Sequence, residues 1–145
     1  MREELLRGLL ERVDRIRRKL KFQLIIVCGS VARGEYVENL SDIDLIIVDE
    51  RFKEIDFWSR ISSVIEYFDI GVPVDVLCFT PEEFINQLRR LNFFVLDAIE
   101  FGIPLPRASA IYSKARRVLE ELKKKHGLKP TTKGWRFHIK SECRE

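Results

Sequence analysis

A chain of 145 residues, 46% hydrophobic and 34% charged, is long enough to bury one core and too short for several large domains. Its apolar runs are far shorter than the roughly 20 residues that cross a bilayer, and the start, Met-Arg-Glu-Glu, lacks a signal-peptide pattern; we therefore expect no membrane segment and a cytoplasmic protein. The three cysteines lack metal-ligand spacing, which argues against a zinc site and against a disulfide framework.

The net charge of +3 is unevenly distributed along the chain. Residues 114–145 carry 11 Lys and Arg against 4 Asp and Glu, a net +7, which leaves −4 for residues 1–113. Acidic candidates for a functional site are therefore separated in sequence from a basic C-terminal segment. We expect one domain over residues 1–127, followed by a basic tail over residues 128–145.

The first half of the chain alternates between helix and strand patterns. Apolar residues at helical spacing predict an amphipathic helix over residues 2–20, and a nearly all-apolar run predicts a buried strand over 22–28. A second apolar run predicts a strand at 43–48. Helical spacing returns over 57–68, and a third strand is predicted at 72–79, with a proline near its start, where proline is tolerated.

The second half contains clearer helix starts. Thr80, followed by proline and two glutamates, is a strong N-cap, and we expect a helix to follow it. A further helix is predicted at 93–101, a short edge strand at 103–105 and a last helix at 109–126. Together these patterns indicate a mixture of helices and strands.

Two short motifs between the first two predicted strands indicate a site for metal-bound phosphates. Gly29 and Ser30 close the first strand, and Asp42 and Asp44 lie at the start of the second. A strand projects residues i and i+2 from the same face, so the two carboxylates would lie side by side. Their mutual repulsion would be neutralised by a divalent cation. By itself, the acidic pair could equally be a solvated strand end in which Asp42 caps a turn.

These motifs resemble the signature of the minimal nucleotidyltransferases (MNT family), the smallest members of the DNA polymerase β-like superfamily. The resemblance rests on residues 29–35, GSVARGE, and residues 41–45, SDIDL, and it covers residues 22–105. One departure is that eleven residues rather than the usual ten separate Ser30 from Asp42, which we assign to an extra loop residue. The resemblance implies an α/β (α+β) fold with a small mixed sheet, helices packed mainly on one side and the cleft on the other.

The family pattern also requires a third carboxylate on a neighbouring strand. Asp75 fits, because an acid in the middle of an apolar strand is costly unless it is paired or bound to metal. By resemblance, Asp42 and Asp44 would hold two Mg²⁺ ions, and Asp75 would bind the ion that activates the attacking hydroxyl and accept its proton. A pairing of Asp75 with Arg33 inside the sheet is the alternative.

The remaining candidates would bind phosphate. Gly29 lets the backbone approach a phosphate closely, and Ser30 offers its hydroxyl and an N–H group at a predicted helix N-terminus. Arg33 would add a positive charge. Ser30 as a simple helix cap is compatible with this assignment.

The resemblance implies Mg²⁺-dependent transfer of a nucleoside monophosphate, AMP from ATP, to a hydroxyl group. MNT proteins are commonly antitoxins paired with a HEPN-type ribonuclease whose tyrosine they adenylylate, so the expected acceptor is a side chain of such a partner. Two alternatives stay open: the chain neutralises its partner by binding alone, or it transfers nucleotides to RNA ends, which the basic tail would favour. A homo-oligomer is also compatible with so short a chain.

Overall fold

The computed structural model describes residues 2–29, 32–33, 43–132 and 134–137. Within these ranges the chain forms five α-helices and six short strands. In chain order they are α1 (Arg2–Leu20), β1 (Leu24–Cys28), β2 (Ile43–Val48), α2 (Phe57–Val64), β3 (Val74–Phe79), α3 (Pro81–Arg89), α4 (Phe93–Phe101), β4 (Ile103–Leu105), α5 (Ala110–His126), β5 (Lys129–Thr131) and β6 (Gly134–Arg136). None of the described helices is long and apolar enough to cross a membrane.

Strands β1 to β4 form one mixed sheet in the order β3-β2-β1-β4. Strand β1 pairs antiparallel with both β2 and β4, whereas β2 and β3 run parallel. The parallel pair is connected by the segment that contains α2, because parallel neighbours need a crossover. The predicted α+β class and small mixed sheet are confirmed.

Helices cover both faces of this sheet, which differs from the expectation of helices mainly on one side with an open cleft face opposite. One face buries Leu24, Ile26 and Ile46 against α3, α4 and α5. The other face buries Ile25 and Ile47 against α1 and α2. The physical reason is that β1 is buried at every position and β2 at all but one, so each strand has two apolar faces to cover.

Helix α2 is fixed to the outer strand β3 by the buried side chain of Arg60. This guanidinium is 5% exposed and donates to the carbonyls of Ile55 at 2.8 Å and Cys78 at 3.2 Å, and to the carboxylate of Glu83 at 3.1 Å. Glu83 also accepts from the N–H of Thr80 at 2.8 Å, which completes the capping box of α3. The bond from Arg60 is the main cause that lowers the pKa of Glu83. These contacts set the position of α2 beside the outer edge of the sheet.

The C-terminal segment contains a small hairpin in which β5 and β6 pair antiparallel. Leu128, just before it, is 3% exposed, and Trp135 on β6 packs against the core between the sheet and α3 to α5. Strands of three residues leave no periodic signal, so the sequence did not predict this hairpin. The division into a domain and a tail at residue 127 stays a prediction.

Candidate functional site

Asp44 and Asp75 lie side by side on the parallel pair of strands β2 and β3. The two residues are register partners, and partners on neighbouring parallel strands project from the same face about 4.8 Å apart. Ile43, Leu45 and Val76 point the opposite way, into the core under α1 and α2. Two of the three predicted carboxylates are therefore neighbours on the face that also carries α3 to α5. Their catalytic role stays a prediction.

Asp75 is exposed, whereas Asp44 is partly buried. The exposure follows from the strand order, since β3 is the outermost strand on its side of the sheet. Within the part of the chain that is described, Asp75 has no hydrogen bond or ion pair, so the alternative pairing with Arg33 is not observed. Because Asp75 is exposed, its carboxylate does not carry the desolvation cost expected of an acid buried in an apolar strand, and a ligand can reach it.

Gly29 ends β1 directly beside Asp44. Its φ of +78° lies in the left-handed region that favours glycine, and a β-carbon at this position would overlap the Oδ2 atom of Asp44. The pairing of Cys28 with Asp44 explains this proximity, because Gly29 follows that pair. Gly29 is therefore required both for the turn and for the room that the carboxylate occupies.

Arg33 lies one turn beyond Gly29 and faces helix α4. Its N–H donates to the carbonyl of Gly29 at 3.3 Å, and its Nη2 lies 2.7 Å from Oδ2 of Asp97. The guanidinium carbon also stands 4.4 Å from the centre of the Phe101 ring, a cation–π distance. The other oxygen of Asp97 accepts from Nε1 of Trp135 at 2.6 Å.

Asp97 on α4 is a functional candidate that the sequence did not reveal. Its side chain is 38% exposed and bridges two other side chains. The signal that could have found it is its position in the apolar helix FFVLDAIEF, where residues 95, 96, 98 and 99 are all buried.

The cysteines carry no chemistry at this site. Cys28 and Cys78 are buried free thiols, and Cys143 lies outside the described residues. Burial is the main cause that raises the pKa of Cys28, and the negative charges of Asp44 and Asp97 raise it further. Burial also raises the pKa of Cys78 to about 12. Both thiols therefore stay neutral near pH 7, which makes them poor nucleophiles.

A groove of about 560 Å³ contains both carboxylates. Its other walls are apolar: Trp58, Ile61, Ile65, Val74, Val76, Leu77 and Phe94. Trp58, Ile61 and Ile65 share one face of α2 and the turn after it. We call this space the acidic groove. A second cavity, of about 580 Å³, lies at the other ends of β2 and β3, beside the start of α3. Neither Asp44 nor Asp75 lines it.

The donor set of the acidic groove suits a hard divalent cation. Mg²⁺ is usually held by one or two carboxylates together with substrate phosphates, and Asp44 and Asp75 supply two carboxylates from adjacent strands. The described residues contain no cluster of three or more acidic, histidine or cysteine side chains around one point. Asp42 and Ser30, the other predicted ligands, lie outside the described residues.

Comparison with protein families matches residues 9–104 to the nucleotidyltransferase domain. The match includes Gly29, Arg33, Asp44 and Asp75 and spans more than half of the chain. The crystal structure of a provisionally assigned nucleotidyltransferase from Sulfolobus solfataricus is 21% identical, with a TM-score of 0.47 over 71% of this chain and 80% of that chain. A comparison with curated proteins found no match. From the family match, the chain belongs to the nucleotidyltransferase domain family of the polymerase β-like superfamily.

Proposed function

We propose that this chain is a Mg²⁺-dependent nucleotidyltransferase that transfers AMP from ATP to a hydroxyl group of a partner protein. The observation that carries the proposal is the register of Asp44 with Asp75 at the mouth of an open groove. In the reaction, the acceptor oxygen bonds to the α-phosphorus, the bond from that phosphorus to the bridging oxygen breaks, and pyrophosphate leaves. The family match supports nucleotidyl transfer, and the residues of the groove support the finer assignment.

The two adjacent carboxylates have different roles in this proposal. Asp44, with Asp42, would hold the metal ions, and Asp75 would share the ion on the acceptor side. Bound there, Mg²⁺ neutralises phosphate charge and lowers the pKa of the attacking hydroxyl. The exposed carboxylate of Asp75 faces the groove, where it accepts the proton that this hydroxyl loses.

Phosphate binding is assigned to the turn after β1. Gly29 has no side chain to obstruct the approach of a phosphate, and we assign Ser30 and Arg33 as the residues that would donate to it. The N–H of Arg33 donates to the carbonyl of Gly29, which holds the two residues within one turn. Phosphates at this turn would lie beside Asp44, which packs against Gly29.

The walls of the acidic groove favour a protein acceptor over an RNA end. Trp58 is 74% exposed, Ile65 38% and Phe94 36%, and exposed apolar side chains around a groove, aromatic ones above all, are typical of protein interfaces. Among the described residues, no lysine or arginine lines this groove, whereas RNA binding relies on phosphate contacts. The resemblance to antitoxins suggests a HEPN-type ribonuclease as the partner, with this chain as its antitoxin.

The proposal predicts that radiolabel from α-labelled ATP appears in a HEPN-type partner protein when Mg²⁺ is present and is absent in excess EDTA. Trp58→Ala should lower kcat/KM for the protein acceptor about 10- to 30-fold, because an exposed tryptophan that lines a groove is a typical binding hot spot. The dissociation constant for ATP should not change. Gel autoradiography and ATP titration measure the two effects.

Tyr67→Ala is the matched control, since Tyr67 is also an exposed aromatic residue, at 47%, but does not line the groove. Equal transfer by the Trp58→Ala protein and wild type would contradict a protein acceptor in this groove. Label that appears on RNA ends instead would favour the RNA alternative. A partner neutralised without any label would favour inhibition by binding alone.

A further inference from the structure

We propose that Asp97 and Trp135 are positioning residues that orient the side chain of Arg33 for phosphate binding. The C-terminal hairpin, which carries Trp135, is then part of the nucleotide-binding site. The inference rests on the proposed function, in which Arg33 binds the phosphates of ATP. It adds two residues far from the sequence motif, one on α4 and one on β6.

Asp97 uses both of its carboxylate oxygens in contacts with other side chains. Oδ2 lies 2.7 Å from Nη2 of Arg33, and Oδ1 accepts from Nε1 of Trp135 at 2.6 Å. The indole is fixed in turn by packing against the core. A carboxylate held from one side by a packed indole has few orientations left, so it presents its second oxygen to Arg33 in a defined direction.

Helix α4 also contacts the face of the Arg33 guanidinium. Phe101 follows Asp97 by four residues, on the same face of the helix, and its ring centre lies 4.4 Å from the guanidinium carbon of Arg33. The helix therefore supplies an acid at the edge of the guanidinium and an aromatic ring at its face. Two contacts of this kind fix the plane of the group as well as its position.

Arg33 keeps N–H donors that a ligand can use. A guanidinium has five N–H donors, and the closest contact with Asp97 is made by Nη2, so even a two-point contact with that carboxylate would leave three donors for a ligand. The side chain is 21% exposed and lines a cavity of about 520 Å³ with Phe101 and residues 130–132 of the hairpin. A phosphate can therefore reach Arg33 without displacing Asp97, and the entropy of ordering the side chain is already lost before binding.

The test is a double-mutant cycle on the dissociation constant of ATP, measured by titration with Mg²⁺ present. Asp97→Asn keeps the shape and one hydrogen bond but loses the charge, and it should weaken ATP binding about tenfold. Arg33→Ala should weaken binding at least as much. If Asp97 acts through Arg33, Asp97→Asn should have no further effect in the Arg33→Ala background.

Trp135→Phe keeps the apolar ring and removes the donor, and it should weaken ATP binding about threefold with little change in melting temperature. It also keeps the inference falsifiable if Asp97→Asn fails to fold. Glu100→Gln is the control, because Glu100 is the other acid of α4 and accepts from Lys123 at 2.8 Å, away from Arg33. Its dissociation constant should match that of wild type.

Two results would overturn the inference. Unchanged ATP affinity in Asp97→Asn, or effects of Asp97→Asn and Arg33→Ala that simply add, would show that Asp97 does not act through Arg33. Either result leaves the proposed function standing if wild type binds ATP. A wild-type chain that binds no ATP would overturn the proposed function and this inference together.

Discussion

Asp44→Asn should abolish nucleotidyl transfer while the fold stays intact. Asparagine has nearly the volume of aspartate but no charge, so it binds a divalent cation poorly. If the metal stabilises the transition state by about 4 kcal/mol, its loss should lower kcat/KM about a thousandfold. The melting temperature should stay the same or rise slightly, because the substitution removes the repulsion between Asp44 and its register partner Asp75. Transfer assays and thermal melts measure the two effects.

Asp69→Asn is the matched control for this experiment. Asp69 is an acid near β3, but it is exposed, precedes the strand and does not line the acidic groove. Its substitution should leave kcat/KM within about twofold of wild type, because it changes one surface charge only. An Asp44→Asn protein that kept a tenth or more of wild-type activity would contradict the assignment of Asp44 to the metal.

Gly29→Ala should lose both stability and activity. Alanine at a φ of +78° costs about 1–2 kcal/mol of folding free energy. The added β-carbon would also overlap Oδ2 of Asp44 and displace the carboxylate from the position in which it neighbours Asp75. Since displacement of a reacting group by about 1 Å can cost about 100-fold, we expect kcat/KM to fall at least that far. Chemical denaturation and transfer assays give the two quantities.

Gly71→Ala separates the backbone effect from the effect on the carboxylate. Gly71 has a similar φ of +90°, but the atom nearest to a new β-carbon there is Nη1 of Arg12 at 3.6 Å, an ordinary contact. Gly71→Ala should therefore cost a similar free energy of unfolding and leave transfer activity close to wild type. Equal activities of the two variants, measured well below their melting temperatures, would show that Gly29 does not serve the carboxylate.

The strands that carry Asp44 and Asp75 and the start of helix α3 could be predicted, because the sequence patterns that indicate them are local. Strand β2 was predicted at residues 43–48, and the structure has it at Ile43–Val48. The alternation of side chains along β3 also holds, since Asp75 lies on the face opposite to its neighbours Val74 and Val76. The N-cap at Thr80 was also confirmed, with both hydrogen bonds of a capping box. Each of these signals lies within a few residues of the feature that it predicts.

Features that depend on contacts distant in sequence could not be predicted. Asp97 and Trp135 are 38 positions apart, and their hydrogen bond depends on how the C-terminal hairpin folds back onto α4. The exposure of Asp75 depends on the order of the strands, which no single strand encodes.

The end of one helix also differs from the prediction. The helix predicted over 57–68 ends as α-helix at Val64 and continues as a 3₁₀ turn over Ile65–Tyr67, and hydrophobic periodicity does not resolve this boundary.

The central claim is that Asp44 and Asp75 share a metal ion that also binds the phosphates of the nucleotide. A crystal structure of the chain with a non-hydrolysable ATP analogue and Mn²⁺ in place of Mg²⁺ tests this claim most directly, because Mn²⁺ can be located by its anomalous scattering. The account predicts an ion with oxygens of both carboxylates and a phosphate oxygen about 2.1 Å away. A nucleotide bound with its phosphates away from both carboxylates, and no ion between Asp44 and Asp75, would contradict it.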